Sequence, residues 1–281
     1  MKEHLNSINP HAPKPTSLLA LTRSLIKHRQ LILQMTKREV IGRYKGSLIG
    51  LAWSFFNPIF MLSVYTVVFS MIFKSHWGGD ESRMMFALLL FVGMIVLGLF
   101  SEVVNRAPSI ILTNVNYVKK VVFPIEILPV IATGAALFHM LISLSVLLIA
   151  FLMFNGFLHW TVIFTPMILL PLVIFILGIS WMLAAIGVFL RDVSQTIGLI
   201  TTVLMFLSPV FYPLTSVPEK FRPFIMANPL TFIIEQAREV VIWGHLPNWI
   251  GLGTYSIAAA MVAWAGYYLF QKTRKGFADV L

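Results

Sequence analysis

The feature that most constrains this chain is the recurrence of apolar runs about twenty residues long, separated by short polar connections rich in proline. A run of that length is what an α-helix needs to cross a ~30 Å hydrocarbon core, and in lipid only helices or closed barrels satisfy every backbone group. Six runs are readable, at 51–73, 84–104, 127–154, 162–190, 195–212 and 249–270. The third and fourth exceed the bilayer's needs and should tilt or protrude, with Pro166 and Pro171 kinking the fourth. The expected fold class is therefore an all-α integral membrane protein with a six-span domain over 51–281. Charged residues are only 11% of the chain, against roughly 25% in soluble domains, which agrees with that class.

Charge placement sets the orientation. The net charge of +10 would suit a polyanion partner, but Lys and Arg concentrate outside the apolar runs, as a topology signal does, so no nucleic acid is expected. With the amino terminus inside, sixteen of the 21 fall on the cytoplasmic side and five (Lys74, Arg83, Lys220, Arg222 and Arg238) opposite. Both termini are then cytoplasmic. The absence of cysteine excludes disulfides, thiolate metal sites and a cysteine nucleophile. No apolar leader opens the chain, so the first span is expected to direct insertion.

Residues 1–16, broken by Pro10, Pro13 and Pro15, read as a disordered start. From Ser17, residues 17–50 read as an amphipathic cytoplasmic interface helix. Leu18, Leu21, Leu25, Ile32 and Met35 recur at helical spacing, with Arg23, Lys27, Arg29, Lys37 and Arg38 on the other faces. Such a helix lies among lipid headgroups or packs on other parts of its complex, and amphipathicity alone does not separate the two. Gly42, Gly46 and Gly50 share one helical face and would permit close backbone approach.

Two connections carry more than topology. The basic loop 106–126 holds Pro108 at a helix start, then Ile110, Ile111 and Leu112, then Lys119 and Lys120. A short helix over 108–116 turning apolar residues toward water calls for a partner's groove, or else rests on lipid or on its own bundle. Residues 213–248 combine Pro218, Pro223, Pro229 and Pro247 with Glu219, Lys220, Arg222, Glu235, Arg238 and Glu239 and cannot cross as one helix. Asn228 and Pro229 read as an N-cap and first helical residue, Gly244 as a stop, and Glu235 as a partner for Arg238. The segment reads as two half-helices re-entering from the outer face, with an amphipathic helix on the outer leaflet as the alternative.

Catalytic signals are missing. There is no phosphate-cradling G-x-x-x-x-G-K-[ST] loop, no H-E-x-x-H, no nucleophile elbow and no metal-ligand spacing, so neither metal nor cofactor is expected on this chain. Acidic residues read as scattered among loops, which disfavours a membrane enzyme acting on polyprenyl carriers. His139, the one titratable side chain well inside a span, reads as a satisfied core histidine rather than part of a proton relay. Uphill transport would then draw its energy from another subunit.

Four separated stretches carry a resemblance: RYKGSLIGLAWSFFNPIFMLSVYTVVF from Arg43, VNYVKKVVFPIEILP from Val115, RDVSQTIGLITTVLMFLSPVFYP from Arg191 and NPLTFIIEQAR from Asn228. Together they are similar to the transmembrane permease of bacterial polysaccharide ABC exporters, the type-2 group serving O-antigen, capsule and teichoic acid. The resemblance implies a transport permease, not an enzyme, in a bacterial inner membrane. It implies two copies of this chain on two ATPase subunits that bind ATP and Mg, exporting a lipid-linked polysaccharide, O-antigen first. Capsule or teichoic acid, a drug, or a small lipid are the alternatives. It also implies ATPase coupling at Pro108, Ile110, Ile111, Asn114 and Lys119, and an outer gate at Pro218, Asn228, Pro229, Glu235 and Arg238. The implied aromatic channel draws on Trp53, Phe56, Phe60, Tyr65, Phe211 and Tyr212, whose rings suit the C–H faces of sugars; each also reads as an interfacial or packing residue.

Overall fold

A computed structural model describes residues 17–68, 83–120 and 123–280; the stretch 1–16 lies outside them. The chain runs through α1 (Leu18–Lys27), α2 (Arg29–Arg43), α3 (Trp53–Tyr65), α4 (Arg83–Arg106), α5 (Val115–Lys120) and α6 (Leu128–Asn155). It continues through α7 (Thr165–Phe189), α8 (Val193–Leu207), α9 (Arg222–Ala227), α10 (Pro229–Arg238), α11 (Trp249–Thr273) and α12 (Phe277–Val280). Among the described residues there is no strand.

Among the described residues, five helical segments are long and apolar enough to cross a membrane: Gly50–Val68, Met84–Ser109, Ile125–Asn155, Trp160–Phe189 and Trp249–Gly276. The end of the expected first span, 69–73, lies outside the described residues. The expected fifth span is shorter than its apolar run. Its helix, α8, has 15 residues, about 22 Å at 1.5 Å per residue, and stops because Pro209 forces the preceding residue out of the helical region. Ser208 accordingly sits at φ −88° and ψ 145°. Pro166 begins α7 rather than kinking it, and only Pro171 lies inside.

The core forms around α4, which packs against α3, α6, α7, α8 and α10. Residues 86–92 of α4 are all buried, as expected of a helix hydrophobic all round. The closest pair is α7 with α11. A Cβ at Gly178 would lie 2.6 Å from the Ala263 backbone and one at Gly266 only 2.0 Å from the Gly178 carbonyl oxygen, so glycine at both positions lets the helices touch.

The expected single interface helix is two. Ser17 caps α1 by accepting from the Ala20 N–H at 3.2 Å, and the helix breaks at His28 (φ −100°, ψ 13°) before α2 resumes. Leu21, Leu25, Ile32 and Met35 turn inward onto a cluster holding Ile125, Ile131, Trp181 and Phe277, so this face packs on the chain's own bundle. The three glycines do not stack on a helix: Gly46 (φ 89°) and Gly50 (φ 58°) turn the chain between α2 and α3. A Cβ at Gly42, Gly46 or Gly50 would meet nothing within 4 Å, so none of them mediates close packing.

Candidate functional site

Two clefts meet at the end of the bundle where Lys and Arg gather. The larger, about 1150 Å³, lies between α2, the segment after α4 and the start of α6, and is lined by Lys37, Arg38, Lys45 and Arg106 among others. Glu39 pairs with Arg106. The smaller, about 620 Å³, lies between α3, α4 and α6 and is lined by Trp53, Asn57, Tyr65, Phe91 and Glu102 among others. Arg43 and His139 line both.

These two residues form a three-helix junction with Glu102. Arg43 Nη1 donates to Glu102 Oε1 at 2.6 Å and lies 2.8 Å from His139 Nδ1, which is itself 3.0 Å from Glu102 Oε1. Nδ1 donates to Glu102 when it carries the proton and accepts from Arg43 when it does not. The other ring nitrogen, Nε2, is buried with no hydrogen-bond partner among the described residues, so His139 is not the fully satisfied core histidine expected. Tyr44 meets its ring edge-on, centroids 6.0 Å apart. Burial raises the Tyr44 phenol above its ordinary pKa, with Arg43 opposing and Glu102 adding to the shift. Glu102 sits inside an apolar span, and a carboxylate there requires a partner; that was the readable signal.

Glu126 likewise does not lie on a loop surface. It is fully buried, accepting from Arg274 Nη1 at 2.9 Å and from the Ser24 hydroxyl at 3.2 Å, while its carbonyl accepts from Trp181 Nε1 at 2.9 Å. One carboxylate thus ties α1, the start of α6 and the carboxy-terminal end together.

The segment after α4 corrects another expectation. It forms 3₁₀ turns at Ala107–Ser109 and Leu112–Asn114 before α5, rather than one short helix. Ala107 and Pro108 are buried against α7, and Ile110 and Ile111 point into the chain's own core, Ile111 being 0% exposed. A Cβ at Gly187 of α7 would come within 2.0 Å of the Pro108 carbonyl oxygen, so that glycine admits the turn. Apolar character here serves internal packing; among the described side chains of the segment, Thr113 and Asn116 are the exposed positions. Asn114 closes the turn, its Nδ2 donating to the Ile110 carbonyl at 2.8 Å. The Lys119 side chain lies outside the described residues.

Residues 213–248 follow the expected breaks. Asn228 caps α10 by accepting from the Leu230 N–H at 3.0 Å and donates to the Ser208 hydroxyl at 2.8 Å, Pro229 begins α10, and Gly244 stops the chain at φ 74°. Arg238 pairs with Glu235 at 2.8 Å, is itself buried, and donates to the carbonyls of Leu89 (3.0 Å) and Val210 (3.1 Å). It thereby satisfies irregular backbone beyond α8 that no helix could serve. Leu230, Ile233, Ile234 and Val240 are buried in the main core, while Pro218 is exposed in the turn before α9.

The six aromatics separate into groups. Trp53, Phe56 and Phe60 form an exposed stripe along α3, with Phe60 63% exposed and the Trp53 and Phe56 ring centroids 6.0 Å apart. Tyr65 is instead buried, its ring centroid 6.4 Å from that of Phe91. Phe211 and Tyr212 lie beyond α8, where Phe211 faces Phe206 at 6.3 Å and the Tyr212 hydroxyl donates to the Phe206 carbonyl at 3.0 Å. Within one chain α3 neighbours α4 and α6, whereas α8 neighbours α4 and α7.

The sequence has known relatives. Residues 30–242 match the family described as ABC-2 type transporter, three quarters of the chain. The chain belongs to the ABC-2 type transporter family. This ABC-2 type chain is 27% identical over 264 residues to the O-antigen export system permease protein RfbA of Myxococcus xanthus, covering 93% of this chain and 99% of the relative. It is 27% identical over 254 residues to a protein of the same name from Klebsiella pneumoniae, covering 89% and 95% respectively. It is 22% identical over 242 residues to the polysialic acid transport protein KpsM of Escherichia coli, covering 83% and 90%.

Proposed function

We propose that this ABC-2 type chain is the permease subunit of an ATP-driven exporter carrying a lipid-linked polysaccharide, O-antigen first, across a bacterial inner membrane. The observation that carries this reading is similarity over 95–99% of the length of relatives named O-antigen export permeases. Two copies would present their α3 aromatic stripes to a common pathway, where Trp53, Phe56 and Phe60 could pack on sugar C–H faces. Phe211 and Tyr212 would contribute from beyond α8. Helices α9 and α10 would form the outer gate, hinged at Asn228 and held by Arg238. ATP and Mg would be bound by two copies of a separate ATPase, reached through the polar tips of the 107–120 segment, both termini lying on that cytoplasmic side.

Export and coupling are tested together. A strain lacking the permease should lose surface glycan and retain lipid-linked polymer inside, and the wild-type chain should restore export. Ile111→Asp buries a charge in the core and should lower the amount of permease in the membrane. Asn116→Arg, at an exposed position, should leave that amount unchanged and weaken co-purification with the ATPase. Export of a drug but not of glycan by the restored strain would refute the reading. ATP hydrolysis by the purified chain alone would refute the division of labour.

A further inference from the structure

The junction of Arg43, Glu102 and His139 is the contact that divides the basic cleft from the cleft lined by Trp53 and Tyr65. Lys37, Arg38 and Lys45 line only the former and Glu102 only the latter, while Arg43 and His139 touch both. Among the described residues Lys37, Arg38 and Lys45 make no ion pair, and Arg38 Nη1 donates only to the Tyr117 hydroxyl at 3.4 Å. The basic cleft therefore holds a surplus of positive charge beside a guanidinium already committed to a carboxylate. We propose that Arg43 is a displaceable latch: the phosphate group of an amphiphile, held by Lys37, Arg38 and Lys45, draws Arg43 off Glu102 and opens the division between the clefts.

The exchange is chemically balanced without any bond being made or broken. A phosphate offers Arg43 a bidentate anionic partner in place of one carboxylate oxygen. Glu102 is only 18% exposed, so losing its cation outright would strand a largely buried charge. His139 prevents that. Its Nδ1, 3.0 Å from Oε1, can keep the carboxylate hydrogen-bonded after Arg43 leaves. The ligand is an amphiphile because the second cleft runs from these polar groups along Met61, Tyr65, Phe91, Met94 and Ile95, an apolar path for a chain. The proposal does not depend on a glycan being the cargo.

The test is equilibrium binding of dodecyl phosphate to the purified full-length permease in a neutral detergent. Arg43→Ala should weaken binding about tenfold or more, the loss expected for one charge-assisted contact. Glu102→Gln should tighten it several-fold, because the competing anion is gone, and such a gain cannot arise from misfolding. His139→Phe should weaken binding in the wild-type background and have no effect in Glu102→Gln. Arg191→Gln, an exposed cation that lines neither cleft, should bind as wild type. Unchanged or weaker binding by Glu102→Gln would overturn the latch, as would equal affinity for inorganic phosphate, which has no chain. Repeating the titration in nanodiscs with and without phosphatidylglycerol identifies the source. Competition assigns the site to bilayer lipid, its absence to a dedicated phosphorylated lipid, and both require that dodecyl phosphate binds. Intact dodecyl phosphate binding in a permease that exports no glycan would count against the proposed function and leave the latch standing.

Discussion

Gly187→Ala is expected to disturb the seat of the 107–109 turn on α7. The added Cβ would stand 2.0 Å from the Pro108 carbonyl oxygen and 2.6 Å from its carbonyl carbon and Cα. All three are backbone atoms, so no side chain can swing away; restoring ordinary contact at 3.4 Å moves the turn by about 1.4 Å. Ala107 and Pro108 are buried, which leaves no room for that movement without opening a void. Overpacking of this kind costs about 1–3 kcal/mol, and alanine returns up to ~1 kcal/mol of helix propensity, leaving a net loss of up to about 2 kcal/mol. At roughly 2–4 °C per kcal/mol for a chain of this size, the detergent-solubilised protein should melt a few degrees lower. Gly198→Ala is the control, since it lies within α8 and its Cβ would meet nothing within 4 Å. The assay is the melting temperature of both variants beside glycan export in cells, where Gly187→Ala should lose export out of proportion to its loss of stability. Equal stability and equal export in the two variants would refute the packing argument.

Three further outcomes follow from buried polar groups and from topology. Arg274→Ala removes the cation paired with the fully buried Glu126 carboxylate and should destabilise the protein by about 3–5 kcal/mol, whereas the double variant with Glu126→Leu should recover much of the loss; melting of single and double variants decides it. Arg238→Met removes the guanidinium donor that the Leu89 and Val210 carbonyls share, and Arg238→Lys, with fewer donors and no fork, should rescue only part of the lost stability. In this cysteine-free chain Lys220→Cys should react with an impermeant thiol reagent applied from the outer face; labelling only from the cytoplasmic face would invert the orientation.

Several of these features were legible in the residues because they rest on local chemistry. The long apolar runs required helices, Asn228 with Pro229 specified a capped helix start, and Gly244 supplied the left-handed residue that ends it. Pro209 was equally readable as the stop of α8, but the apolar character of residues 208–212 masked it, since hydropathy reports transfer into lipid and not backbone geometry. The resemblance to polysaccharide exporters was likewise carried by short stretches and agrees with the family that the chain matches.

By itself, then, the sequence determined the helical class, the cap at Asn228, the stop at Gly244 and the family, because each depends on residues close along the chain. Tertiary structure alone decided which apolar residues face inward. Ile110 and Ile111 have the same composition whether they meet a partner or their own core, and only the packing of α7 and α12 around them resolves it. It also decided the polar junctions. Arg43 and Glu102 are 59 residues apart and Glu126 and Arg274 148 apart, and a pairing across such distances is fixed by how helices cross, which no local spacing encodes.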